Sequence, residues 1–168
     1  MKLIKFSVLV MVLSTTSFSF SSDQWYLGVT QGFFSLGEGD HWKGEIDIGQ
    51  AGFQLGKYIR DDFSIEGGYA FNADRSDFFI GSFSALFWMG ESSEKYRPYV
   101  LLGTNVYNFD DEDDHSFKHR HTQVSFGAGF GSKFSQDYQF RADIRLMARD
   151  KENLDDFAFQ FSLNKIFK

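Results

Sequence analysis

The chain has no cysteine and a single proline, Pro98. Without cysteine, no disulfide framework holds the fold. One proline in 168 residues leaves no room for a proline-rich linker. No internal run is long and apolar enough for a membrane-spanning helix, which needs about 20 residues. Basic residues are outnumbered, 17 Lys and Arg against 23 Asp and Glu, for a net charge of −6. An acidic chain is a poor partner for nucleic acid phosphates or for polybasic binding to a membrane surface. The glycine-rich stretch "GAGFG" (127–131) lies within an alternating pattern, not before a helix, so it is no phosphate-binding loop. What the chain holds in quantity is phenylalanine, 22 residues, and glycine, 16.

The start, "MKLIKFSVLVMVLSTTSFSFSSD", has two lysines and then an uncharged, largely apolar run. Ser19 and Ser21 precede a cut after Ser21. This is the layout of a secretory signal peptide over residues 1–21. An anchor helix is disfavoured, because Ser14, Thr15, Thr16 and Ser17 break the apolar run short of a span. Residues 22–168 then form one domain, with no linker or low-complexity tract.

That domain alternates with period two, the signature of strands with two unlike faces. In "YQFRADIRLMAR" (138–149), Tyr138, Phe140, Ile144 and Leu146 alternate with Gln139, Arg141, Asp143 and Arg145. The same pattern marks strands at 25–33, 50–58, 63–71, 124–134 and 157–167. Two more, 78–89 and 99–108, have less clear facing. Eight strands result. Short connections fall at 60–62, 90–98 and 135–137, and longer polar ones at about 35–47, 72–77, 109–121 and 149–156.

Volume decides which face meets the interior. The interior of an eight-stranded barrel is only wide enough to be filled by side chains. The apolar face carries Phe33, Phe53, Phe63, Phe71, Phe126, Phe130, Phe140, Phe157, Phe159 and Phe161, which would overfill it. The other face is rich in glycine, serine and glutamine. The phenylalanine face therefore points out, where only lipid can bury it. A soluble lipocalin-like barrel would need that set inside, and a two-sheet sandwich explains the loop asymmetry less well. The expected fold is all-β: an eight-stranded antiparallel up-and-down transmembrane β-barrel. Aromatics near strand ends, Trp25, Tyr58, Tyr69, Trp88, Tyr99, Tyr138 and Phe167, are expected at the two membrane interfaces.

The stretches "WYLGVTQG", "QAGFQLGKYIRDDFSIEGGYAF", "RPYVLLGTNVY" and "FAFQFSLNKIF" resemble the small eight-stranded outer-membrane barrels of the OmpA/OmpX type. The resemblance covers nearly all of 24–168. It implies a bacterial outer-membrane location reached by export, contact with membrane lipid and lipopolysaccharide, and a monomer without cofactor. It also implies that the ending presents Phe159, Phe161, Leu163 and Phe167 to the barrel-assembly machinery. Lys165 and the final Lys168 depart slightly from that pattern. The peptidoglycan-binding domain of some relatives is not expected after the barrel.

Three constellations carry candidate chemistry. Glu66, Arg141, Asp143 and Arg145 all face inward and must pair in a low-dielectric lumen, as a plug or as an ion gate. Lys133 and Arg149 are candidates to join them. The loop "DDEDDHSFKHRH" holds Asp110, Asp111, Glu112, Asp113, Asp114, His115, His119 and His121. Its spacing matches no metal site, and it reads as a solvated extracellular loop with weak attraction for divalent cations near lipopolysaccharide phosphates. Rim residues His41, Ser76, Asp77, His115 and Ser116 are the residue types a lipid A-modifying enzyme needs, without the motifs of one. The favoured role is structural or surface-interactive through the loops. A narrow low-conductance channel and a lipid A-modifying enzyme are the alternatives, and no catalytic residue is assigned.

Overall fold

The computed structural model describes residues 23–36, 46–72, 79–91, 93–110, 118–148 and 156–167. They form β1 (Trp25–Leu36), β2 (Ile46–Arg60), β3 (Phe63–Phe71), β4 (Phe79–Trp88), β5 (Tyr96–Asp110), β6 (Lys118–Lys133), β7 (Tyr138–Ala148) and β8 (Asp156–Phe167). Each strand pairs antiparallel with the next, and β1 pairs with β8, so the sheet is a closed barrel. Closure removes the free edges that would otherwise template aggregation.

The alternation read from the sequence sets the facing. All ten of the phenylalanines assigned to the outer face are exposed or half-buried there. They pack in ring-to-ring ladders across strands. Phe140 lies between Phe130 and Phe161, at centroid distances of 6.4 and 5.8 Å. Phe53, Tyr69 and Phe79 stack in turn at 5.7 Å each. The lumen face carries Tyr26, Gln54, Ser64, Glu66, Gln139 and Arg141, all buried. Phe34 is an exception among the phenylalanines: it points inward and is buried.

Three expectations are corrected. Tyr58, Trp88 and Tyr99 are not interfacial aromatics; they are buried inside the barrel. Tyr58 shares its strand face with Gln54 and Gly56, so parity alone turns it inward. Trp88 and Tyr99 lie where the lumen positions of β4 and β5, with Leu86 and Leu101, are as apolar as the outward ones. Trp25, Tyr69, Tyr138 and Phe167 do lie exposed on the outer wall. Second, β5 runs on to Asp110 and β6 begins at Lys118, so Asp110, His119 and His121 sit in strand, not loop. His119 registers with Phe109 and His121 with Tyr107. Asp111, Glu112, Asp113, Asp114 and His115 lie outside the described residues, as do His41, Ser76, Asp77, Ser116, Arg149 and residues 1–22, which include the expected signal peptide 1–21.

Third, the connections are less unequal than expected. At the end of the barrel that holds both Trp25 and Phe167, the connections are 61–62, 89–95 and 134–137. At the other end they are 37–45, 72–78, 111–117 and 149–155. The connection 89–95 is as long as 111–117. Pro98 is the third residue of β5 and keeps its carbonyl in use, accepting from the N–H of Met89 at 2.9 Å. Near a strand start its missing N–H costs little.

Candidate functional site

The centre of the lumen is built from β3 and β7, which lie four strands apart in a ring of eight and so face each other across the barrel. Glu66 projects inward from β3, and Arg141, Asp143 and Arg145 take alternate positions on β7. The structure brings all four together. Arg141 spans the lumen to Glu66 with a two-pronged contact, Nη1 to Oε2 at 2.7 Å and Nη2 to Oε1 at 3.1 Å. Arg145 donates from Nε to Asp143 Oδ1 at 2.6 Å and reaches Glu66 Oε1 at 3.4 Å. Two guanidinium and two carboxylate groups cancel, so the layer is neutral as a whole. That is the arrangement in which buried charge is tolerable.

Tyrosines complete the layer. Tyr26 donates to Glu66 Oε2 at 2.9 Å, and Tyr99 to Asp143 Oδ2 at 2.8 Å. Their rings flank the Arg141 guanidinium, with centroids at 5.7 and 5.3 Å. The layer thus draws its polar groups from β1, β3, β5 and β7, with Ser84 of β4 at 3.4 Å from Arg145 Nη1. Tyr99, expected at a membrane interface, is thus part of the lumen layer.

Toward the end that holds Trp25 and Phe167, an apolar cluster fills the bore: Tyr58, Leu86, Trp88, Leu101 and Ile166 join Tyr26 and Tyr99. Trp88 meets Tyr58 at 5.8 Å and Tyr99 at 4.7 Å between centroids. Its indole N–H donates to Ser64 Oγ at 2.9 Å, and Tyr58 donates to Gln139 Oε1 at 2.9 Å. These rings occupy the places that lumen glycines leave open. A side chain at Gly56 would collide with the Tyr26 ring, and one at Gly129 with the Tyr99 ring. At both positions the space that glycine leaves is taken by a ring.

Arg97 closes this end. It is fully buried and donates to three backbone carbonyls: Asp61 at 2.8 Å, Met89 at 3.3 Å and Gly90 at 3.3 Å. It ties the turn after β2 to the turn after β4 and stacks over Trp88 at 5.6 Å. Nothing in the sequence pointed to it, because its partners are main-chain oxygens. Lys133 is buried near the same end, apart from the four-residue charge layer.

Toward the loop end, packing is looser. Gln54 donates to Asn164 at 2.7 Å and accepts from Gln160 at 3.1 Å. Above them a cavity of about 30 Å³ is lined by Arg145, Gln50, Asn105 and Ser82 among others. A small apolar cluster of Phe34, Ile80, Tyr107, Met147 and Ala158 follows. Beside it Gln123 donates to Asp156 and to Tyr107, the latter at 3.3 Å.

A closed eight-stranded barrel with an aromatic outer wall and a charged, packed bore is a transmembrane β-barrel. The chain belongs to the outer membrane protein beta-barrel domain family, which it matches over residues 6–167. It is accordingly an outer-membrane barrel in contact with membrane lipid. No curated protein sequence matches it. Among solved structures it is similar to the N-terminal β-barrel domain of OprF from Pseudomonas aeruginosa. That likeness has a TM-score of 0.71 at 16% identity, over 88% of this chain and all of the other. Neisserial surface protein A aligns with a TM-score of 0.56 at 16% identity, over 86% of this chain and 96% of the other. A de novo designed transmembrane β-barrel aligns with a TM-score of 0.57 at 11% identity, over 89% of this chain and 99% of the other. A designed protein shares this fold, so the fold by itself specifies no role.

Proposed function

We propose that this barrel is a monomeric, exported outer-membrane protein with a structural or surface-interaction role exerted through its loop-end connections. The observation that carries this reading is the double closure of the bore. The charge layer crosses the lumen from β3 to β7, and the aromatic cluster with Arg97 fills the bore beyond it. A bore occupied in this way leaves the loop end as the place for recognition. The leader 1–21 supplies export. The exposed outer face of β8, Phe159, Phe161, Leu163 and Phe167, supports its reading as the signal for the assembly machinery. With both termini and the shortest turns at one end, that end is assigned to the periplasm and the other to the outside. Protease on whole cells tests the orientation: cleavage near 111–117 agrees with it, and cleavage at 134–137 reverses it.

Planar-bilayer recording of the barrel tests the role. Silence, with lipid A unchanged in expressing cells, agrees with it; large stable current steps refute it. The cavity beside Arg145 favours one second reading, a narrow channel whose constriction is the charge layer. In that case Arg145→Ala enlarges small steps.

A further inference from the structure

The lumen glycines make room for side chains or for closely approaching backbone, but on the outer wall Gly49, Gly67 and Gly81 make room for nothing in the chain. On β3 the outward positions run Phe63, Ile65, Gly67, Tyr69; on β4 they run Phe79, Gly81, Phe83. A side chain added at Gly67 would meet only the Ser82 carbonyl oxygen at 3.7 Å, and one at Gly81 only that of Val106 at 3.8 Å. Gly67 lies between Leu55 and Phe83 in register, and Gly81 beside Tyr69. At Gly67 the result is a groove of about 450 Å³, lined by Leu55, Ile65, Tyr69 and Phe83 among others, in a wall otherwise studded with large side chains. Its volume is in the range of small-ligand sites.

The groove has a polar end. Lys57 and Trp25 line it on the side of the chain termini. Lys57 Nζ lies 5.2 Å from the Trp25 ring centroid and 2.6 Å from the Asp23 carboxylate, whose side chain is 84% exposed. An exposed ion pair of this kind holds its partners weakly. From Lys57 to Phe53 the groove follows four residues of strand, about 13 Å, which a strand tilt of about 40° turns into about 10 Å of depth, a third of a hydrocarbon core about 30 Å thick. An apolar channel that reaches most of the way through one leaflet, headed by one cation beside a tryptophan, fits the upper part of one acyl chain and one phosphate.

We propose that this groove seats an acyl chain of a glycerophospholipid from the leaflet at the terminus end, with the lipid phosphate on Lys57 in place of Asp23. A lipid with several phosphates is disfavoured, because the group beside Lys57 is the Asp23 carboxylate. Naming that leaflet periplasmic rests on the orientation proposed above; the groove itself does not.

Native mass spectrometry of the folded barrel after incubation with phosphatidylglycerol is the test. The wild type is expected to keep one lipid through detergent stripping. Gly67→Leu, which fills the groove, and Lys57→Gln, which removes the cation, are each expected to lower that retention at least fivefold. Val100→Ala, also on the outer wall, is the control and leaves it unchanged. If Gly67→Leu does not fold, Leu55→Trp fills the same groove from the neighbouring strand β2. Wild-type retention in the leucine variant, or preferred retention of lipopolysaccharide over phosphatidylglycerol, overturns the proposal. Retention unaffected by Lys57→Gln overturns the phosphate assignment. The measurement is made in detergent, so its failure is separate from a failure of the orientation.

Discussion

The two halves of the lumen are closed in different ways. The half nearer the chain termini is sealed by rings: Tyr26, Tyr58, Trp88 and Tyr99 contact one another in a chain, and Arg97 laces the turns beneath them. The half nearer the loops holds amides and a cavity beside a smaller apolar cluster about Phe34 and Tyr107; Gln50 Oε1, Asn105 Nδ2 and Ser125 Oγ there lack a protein partner, as do Ser132 Oγ and Gln139 Nε2 in the other half. The charge layer is the boundary. A bore of one diameter can thus be filled by apolar volume or by polar groups, and the two respond differently to mutation. Removing volume from a packed cluster leaves a void, whereas a polar, cavitated region adjusts.

The largest effect is expected at the boundary. Glu66→Ala leaves Arg141 and Arg145 with one carboxylate between them, and breaking a buried ion network of this kind costs about 3–5 kcal/mol. Urea unfolding in phospholipid vesicles measures it. A loss under about 1 kcal/mol would mean that water already screens the layer. Next comes the wall that both halves share. Phe140→Arg puts a charge among Phe130 and Phe161 on the outer face and is expected to cost about 2–4 kcal/mol if it lies near the midplane. A neutral result would contradict the outward facing of β7.

The terminus half is probed by Gly56→Ala. The added methyl group meets the Tyr26 ring, and overpacking of this kind costs about 1–3 kcal/mol. Tyr26→Phe does not relieve the clash, whereas Tyr26→Ala in the same chain does, so the double variant separates overpacking from loss of the Glu66 hydrogen bond.

How much of this was legible in the sequence follows from where the two faces differ. On β1, β2, β3, β6, β7 and β8 one face is apolar and the other small or polar, so parity read the facing of Phe126, Gln54, Glu66 and Arg141 without error. On β4 and β5 the lumen positions Leu86, Trp88, Tyr99 and Leu101 are as apolar as the lipid positions Phe83, Phe87 and Leu102. Alternation vanishes there, and Trp88 and Tyr99 were placed outside. The cause is the aromatic closure itself: a bore sealed by rings erases the contrast that facing is read from. The charge layer was legible as four inward residues, but not its tyrosine partners, because ring position depends on which glycine across the bore leaves a slot. Arg97 was illegible because backbone carbonyls carry no residue code.

The smallest effect is expected in the loop half, at Asn105. Its side chain is buried, its Nδ2 has no protein partner, and it lines the cavity next to Arg145. An unsatisfied buried donor costs about 1–3 kcal/mol, so replacing it with an apolar group of similar size removes a penalty while giving up little. Asn105→Leu is therefore expected to change stability by less than about 1 kcal/mol in either direction. The same urea titration in vesicles reads it beside Gly56→Ala. A cavity of about 30 Å³ holds a water, and a water bridging Asn105 Nδ2 to Gln50 Oε1 would satisfy both groups. Leucine would then strand Gln50, and the loss would exceed about 1 kcal/mol. Adding Gln50→Leu to Asn105→Leu decides between the two. If the second substitution restores the stability that the first removed, the loop half is closed by hydrated polar contacts. If neither substitution matters, its closure is loose, and the terminus half alone keeps the bore shut.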